Sequence, residues 1–402
     1  MTSPAVAVPS PVRHPSCWLQ VLSHLSPRYG GIATSVPPLA RATEAQGLLD
    51  CPIVGFCAPD ELDHLDVRER PAIKVFAPDR RRWITDIGLR KELRKRIQAS
   101  AGVHIHGIWE IHCVTSAGLA RRCTRPYLIS AHGMLEPWAL RQKRLKKALY
   151  AALIESRVLQ RATCLRALTR DESKDYRRVG LTNPIAIVPN GIDVPEGSDP
   201  QPFLDKFQQL AEKRIVAFLG RLHYKKGLHL LLPAWAKAHR PADAHLVIAG
   251  PDSDGTLETL TRQRDELNLQ DSVTFTGMVE GQLKWSLLAS ASLFVLPSYS
   301  EGFSVAVLEA LGMGIPVVVT VGCHVPEIAA RGCGWVIPSS SESLRRALEQ
   351  FFELSPAEAA QAGHHGKDLV EAQFRWPVIG RQMAEVYNWL EGGSRPQGVE
   401  IV

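Results

Sequence analysis

From Cys17 onward the chain alternates short apolar runs with turn residues and amphipathic stretches: CWLQVLSHL, CPIVGF, AIKVFA, GVHIHGIW, PYLISAHG, ATCLRAL and PIAIVPNGI. Runs of this length predict buried strands, and helical stretches between them predict a parallel sheet covered on both faces. The rhythm restarts with RIVAFLG, HLVIAG, SVTFTG, SLFVLP and IPVVVT. These lie about 20 to 30 residues apart, the spacing that a strand-helix-strand crossover needs. Between the two series, PEGSDPQP breaks the pattern with three prolines, a glycine and acidic residues, the composition of an exposed hinge.

The expected organisation is therefore α/β, with two Rossmann-like, doubly wound domains. Residues 1–16 form a proline-rich flexible lead, 17–194 a first domain, 195–202 the hinge, 203–373 a second domain, 374–392 a helix and 393–402 a tail. A length of 402 residues exceeds what one core usually organises and agrees with two. At 45% hydrophobic and 22% charged residues the chain is neither disordered nor fibrous in composition. Eight cysteines without a CxxC pair exclude a zinc ribbon and a thioredoxin-type centre and fit a reduced, cytosolic setting. With no signal-like apolar core and no run of about 18 apolar residues, a membrane-spanning protein is not expected. A formal net charge of +6 would suit anionic small molecules, an anionic membrane or nucleic acid, and does not choose among them.

Ligands of such sheets bind beyond the carboxyl ends of the strands, where several motifs fall. Gly30 and Gly31 follow the opening strand and precede a predicted helix, so bare backbone amides can approach a phosphate there; a plain strand-to-helix turn is the other reading. In GRLHYKKG, Arg221 and Lys226 stand on a glycine-bounded loop after a strand, and a planar guanidinium and a compact ammonium both suit a diphosphate. The Walker spacing is absent, so a nucleoside triphosphatase is not indicated.

In SYSEGFSVAVLEALGMGIPVV, Glu301 and Glu309 flank an apolar segment. Were it helical throughout, they would stand about 12 Å apart, the reach between a donor sugar and a ribose. The amides of Phe303, Ser304 and Val305 at that helix start would face the phosphates between, meeting their charge without a metal. His104 and His106 share one strand face with no completing ligands, so no bound metal is expected. Residues 141–157 join five basic side chains in seven positions to an apolar stretch; the helix predicted there could lie against anionic lipid or be a solvated face. Nucleic acid is not an expected partner, because no aromatic platform is interleaved with the basic residues.

Taken together, GRLxxxKG, then SEGFSVAVLEA some 75 residues later, then GIPVV, over Arg214 to Pro338, resemble the retaining glycosyltransferases of family 4, which have the GT-B fold. RYGG, VHIHGIW, SAHGMLEPW and VPNGID extend the likeness through the first half in the family's order. HGMLEPWAL and RGCGWVIP are similar to members that build bacterial exopolysaccharides and lipopolysaccharides. The resemblance implies Arg221 and Lys226 as ligands of the donor diphosphate, Glu309 as partner of the ribose and Glu301 as the carboxylate beside the transferred sugar. It implies His132, at the end of PYLISAH, as the histidine that touches the sugar from the opposing domain, and Gly30 and Gly31 as the phosphate-side glycine loop. Residues 374–392 would cross back to the first domain, which would take the acceptor. A nucleoside diphosphate sugar is then co-substrate, no cofactor is needed, and the acceptor is a glycan or lipid-linked glycan at the inner membrane face. Ser304 stands where many members have a second glycine, and Cys323 where a glycine is common, which bears on the geometry at the sugar. An epimerase, or a sugar-nucleotide-binding protein without catalysis, would use the same fold.

Overall fold

The computed structural model describes residues 16–26, 31–47, 49–56, 73–76, 87–137, 140, 155–252 and 254–402. In the first half the strands are β1 (Ser16–His24), β2 (Leu49–Asp50), β3 (Ile53–Phe56), β4 (Ile73–Phe76), β5 (Gly102–His106), β6 (Tyr127–Ser130), β7 (Cys164–Ala167) and β8 (Ile185–Ile187). They pair in parallel in the order β8-β7-β6-β5-β1-β3-β4, with β2 beside β1. The chain leaves β1 toward β3 on one side and later resumes on the other with β5, so the order reverses between β1 and β5.

The second half holds β9 (Arg214–Leu219), β10 (Ala244–Ala249), β11 (Val273–Gly277), β12 (Ala291–Leu296), β13 (Val317–Thr320) and β14 (Gly334–Ile337). Their order, β11-β10-β9-β12-β13-β14, is wholly parallel and reverses between β9 and β12. The middle strands are apolar on both faces because helices cover both: every residue of β10 is buried, as are five of the six in β9. This is the doubly wound arrangement that places a ligand outside the carboxyl ends of the two strands at the reversal.

The C-terminal helix Trp376–Leu390 belongs physically to the first domain. Its Ile379, Met383, Val386 and Tyr387 join Trp18, Val36 and Leu39 in one core, and Tyr387 stacks on Trp18 with ring centroids 4.3 Å apart. Gly380 permits the approach, since a Cβ there would stand 2.1 Å from the Ala42 carbonyl oxygen. The last residues add a strand the sequence pattern did not suggest: β15 (Glu400–Ile401) pairs antiparallel with β8. The chain passes from one core to the other between Val188 and Ile192, ahead of the Pro195–Pro202 segment. There Ile192 bridges to Arg375 on the returning segment, so both crossings run side by side. No helix among the described residues is long and apolar enough to cross a membrane.

Candidate functional site between the two sheets

Arg221 and Lys226 both lie on the loop leaving β9, and Glu301 lies on the loop leaving β12, the two strands that flank the reversal of the second sheet. The loops are pressed together at Gly227, whose φ of 70° suits a residue without a side chain. A Cβ at Gly227 would sit 2.1 Å from the Pro297 carbonyl oxygen. Tyr299 N donates to Lys225 O at 2.8 Å, and Glu301 N donates to Gly322 O at 2.7 Å. Backbone bonds thus bring Lys226 Nζ within 2.6 Å of Glu301 Oε1, with both side chains largely enclosed. Arg221 is exposed and has no ion-pair partner among the described residues.

The segment from Glu301 to Glu309 is not helical throughout. The helix is Val305–Gly312, and Ser304 before it has φ −87° and ψ 78°, outside helical geometry. Glu301 is instead a loop residue, held by the turn after β13. Of the three amides expected at the helix start, that of Val305 donates to Phe303 O at 3.1 Å, whereas those of Phe303 and Ser304 have no acceptor among the described residues. Ser304 is buried, and Cys323 lies wholly inside, its thiol pushed up to about 12 by burial. Glu309 is not free either. Lys284 Nζ reaches its Oε1 at 2.7 Å, while burial raises the Glu309 pKa and the lysine pulls it back.

The first domain meets these loops through the turn after β6. His132 has φ 54° and Gly133 φ 75°, a left-handed pair that costs energy at the histidine. Buried Glu172 holds it, accepting from Gly133 N at 2.7 Å and Leu168 N at 2.6 Å. At Gly133 the two domains touch: a Cβ there would be 2.9 Å from Gly302 Cα, and one on Gly302 would be 3.4 Å from His132 O. His132 therefore abuts the Glu301–Gly302 turn. Its imidazole pKa is pushed down to about 3, chiefly by burial and then by buried Arg166, so the ring is neutral. Gly31 opens the helix Gly31–Glu44; Gly30 and residues 141–154 of the basic stretch lie outside the described residues.

Several residues of the site carried no signal of their own. Glu136, buried in the first domain, accepts from Ser300 Oγ and lies 3.6 Å from Lys225 Nζ, so both strand-end loops of the second domain converge on it. On the hinge side His324, with φ 57°, pairs with Asp171 of the first domain at 2.9 Å. His104 and His106, which the sequence did single out, are buried with ring centroids 3.9 Å apart and planes tilted by 33°. Glu136 stood within a motif, but its partner is 164 residues away, a relation no local pattern encodes.

Known proteins place the chain. Residues 30–191 match the glycosyl transferase 4-like domain and residues 201–368 the glycosyl transferases group 1 family. The chain is 31% identical over 182 residues to the putative colanic acid biosynthesis glycosyltransferase WcaL of Escherichia coli, covering 43% of this chain and 44% of that protein. It thus spans less than half the length of the first curated relatives it matches. A GDP-mannose:cellobiosyl-diphosphopolyprenol alpha-mannosyltransferase of Komagataeibacter xylinus is 24% identical over 401 residues, 94% of either chain. Among solved structures, Anabaena Alr3699/HepE in complex with UDP and glucose superposes with a TM-score of 0.74 at 19% identity, covering 93% of this chain and all of that one. With a 4-like first half, a group 1 second half and two facing Rossmann-like sheets, the chain belongs to the GT-B glycosyltransferases of this family.

Proposed function

We propose that the protein transfers a sugar from a uridine or guanosine diphosphate sugar to an acceptor hydroxyl, with retention of anomeric configuration. The observation that carries this reading is the Lys226–Glu301 pair at the reversal of the second sheet, facing the His132–Gly133 turn of the first domain. A cation and a carboxylate at one point are what a sugar diphosphate requires: positive charge for the departing phosphate, negative charge beside the sugar. Lys226 and Arg221 hold the diphosphate together with the Phe303 and Ser304 amides, Glu309 takes the ribose, and His132 meets the sugar.

In the reaction the bond from the anomeric carbon to the diphosphate oxygen breaks, and a bond to the acceptor oxygen forms on the same face. The acceptor proton passes to the departing phosphate oxygen, so no separate base is required. Fixed cations and amides stabilise the leaving charge without reorganising, the usual source of large electrostatic acceleration. These groups take the place of a metal ion. Glu301 stabilises positive charge on the sugar and forms no covalent bond.

The name of the Komagataeibacter relative, with its diphosphopolyprenol acceptor, and that of WcaL support a lipid-linked glycan of cell-surface polysaccharide synthesis as acceptor. The basic residues within 141–157 would then rest on the inner face of the membrane.

The test is nucleoside diphosphate release from a panel of UDP- and GDP-sugars, with and without lipid-linked acceptor and with a chelator, the product anomer being read by NMR. One donor is expected to give acceptor-dependent release, unaffected by chelation and abolished by Arg221→Ala. Donor interconversion without acceptor would identify an epimerase instead, and binding without turnover a sugar-nucleotide-binding protein.

A further inference from the structure

A chain of buried polar groups runs through the first domain to His132. Gln20 on β1 points its Nε2 at Trp18 O, 3.0 Å away, and at the Tyr387 hydroxyl, also 3.0 Å away. Its Oε1 stands 2.9 Å from His106 Nε2, and His106 Nδ1 stands 3.2 Å from His132 Nε2. Gln20 is 1% exposed and His106 1% exposed, so no solvent is at hand to satisfy either in another way.

Only one assignment of protons fits. The Trp18 carbonyl can only accept, so the amide nitrogen of Gln20 must face it, and Oε1 must face His106. Oε1 can only accept, which puts the His106 proton on Nε2. His106 is neutral, because burial and the neighbouring His104, His132 and Arg166 hold its pKa well below the ordinary value. Its Nδ1 is therefore a bare lone pair, and the His132 proton must be on Nε2 to meet it. What remains on His132 is Nδ1, which has no partner among the described residues.

We infer that Gln20 and His106 are positioning residues that lock the His132 imidazole with its proton on Nε2, so that Nδ1 meets the donor sugar as a hydrogen-bond acceptor. This rests on the sugar-contacting role proposed for His132. The anchor of the lock is a main-chain carbonyl, which cannot turn over, so the acceptor character of His132 is set before any ligand arrives. A sugar hydroxyl at this place must donate, and a donor lacking that hydroxyl, or carrying fluorine there, loses the bond.

The lock is read without substrate. In protein carrying 15N-histidine, with His132→Asn for assignment, long-range NMR correlations are expected to show a protonated Nε2 and an unprotonated Nδ1 for His132. Gln20→Leu should mix the tautomers and lower kcat/KM about tenfold, the loss of roughly one neutral hydrogen bond. His106→Leu, which removes the acceptor for the His132 proton, gives the same readout by a second route should Gln20→Leu fail to fold. Tyr387→Phe removes only the hydroxyl, keeps the ring on Trp18 and leaves the Trp18 carbonyl anchor of Gln20, and should keep the tautomer. A protonated Nδ1 in the parent protein, or an unchanged tautomer in Gln20→Leu, would overturn the lock. A shifted tautomer with unchanged turnover would overturn the sugar contact of His132, and with it the purpose of the lock, while the diphosphate site stayed intact.

Discussion

The two walls of the cleft are built from opposite electrostatic material. The second domain presents charge: Lys226 on Glu301, Lys284 on Glu309, and exposed Arg221. The first domain presents a cluster of neutral histidines, His104, His106 and His132, all held in the uncharged form chiefly by burial, while its boundary carboxylates Glu136 and Asp171 are taken up by Lys225 and His324 of the second domain. A ligand with one ionic end and one hydroxylated end is matched by such a pair of walls. Ionic groups remain useful near the diphosphate because Lys226 and Lys284 are each paired with a carboxylate that keeps their charge in place although the side chains are largely enclosed. Hydroxyl recognition instead profits from a dry, fixed network in which each hydrogen bond has one allowed direction.

The most severe way to break the contrast is to remove its charged side. Lys226→Ala is expected to lower kcat about 100- to 1,000-fold, the usual cost of deleting one preorganised charge-stabilising group. His132→Asn should cost less, about tenfold, since a neutral hydrogen bond is lost. Steady-state diphosphate release measures both, and equal losses would erase the distinction between the walls.

Two glycines test the same contrast at the backbone. Gly227→Ala places a methyl 2.1 Å from the Pro297 carbonyl, at φ 70°, between the two loops that carry the charges. Left-handed strain plus displaced backbone should cost about 2 to 3 kcal/mol of second-domain stability. Gly133→Ala meets Gly302 Cα at 2.9 Å across the domain boundary, a contact that opening relieves. At φ 75° it carries the same left-handed strain as Gly227→Ala. Its Tm loss should still be smaller than that of Gly227→Ala, and its loss of turnover larger than that Tm loss alone accounts for. A Tm loss exceeding that of Gly227→Ala would show that the boundary is rigid.

How much of this was legible in the sequence differs between the walls for a physical reason. In the second domain the strands are uninterrupted apolar runs, and the ionic residues sit on the loops that follow directly, so motif and site nearly coincide. The departure there is local: the condition of a helix running from Glu301 to Glu309 is not met, because Ser304 leaves helical geometry and the Glu301 amide is held by Gly322. In the first domain His132 was legible only through resemblance. Its partners Gln20 and His106 come from β1 and β5, 112 and 26 residues away in sequence. That the C-terminal helix supplies Tyr387 to the same network follows from tertiary packing alone. The two-residue strand β15 was missed because it is held by pairing with β8, not by its own pattern.

Acid should separate the domains as well. His104, His106, His112 and His132 all have lowered pKa values in the folded state, so the unfolded chain binds more protons as pH falls below about 6.5. Stability then declines toward low pH, by about 1.4 kcal/mol per pH unit for each uncompensated histidine. Glu155, raised by burial to about 7, and Glu172, also raised, bind protons in the folded state and oppose the trend. Asp175 is raised by burial as well, and four histidines against these three carboxylates leave a net loss below pH 6.5. The second domain has His245, lowered to about 4, and the partly exposed His229. Hydrogen exchange followed by mass spectrometry from pH 7 to 4.5 should show β1, β5 and β6 losing protection before β9, β10 and β12. Simultaneous opening would mean that the buried histidines do not set acid stability.

The mildest expected effect concerns Lys284. Its ammonium holds Glu309 Oε1 and lies 4.1 Å from the centroid of the Trp285 ring, so one lysine both neutralises the carboxylate and fixes its direction. Burial raises the Glu309 pKa, and Lys284 is what opposes that rise. Lys284→Met keeps the stem and removes the charge. The Glu309 carboxyl should then titrate higher and accept hydrogen bonds from a ribose diol less well near neutrality. The expected outcome is a rise of about threefold to tenfold in donor KM with kcat nearly unchanged, in keeping with about 1 kcal/mol for a partly enclosed ion pair. Because the carboxylate recovers its charge as pH rises, the defect should shrink toward pH 8.5. A KM defect independent of pH would assign Lys284 a direct contact with the nucleoside in place of its hold on Glu309.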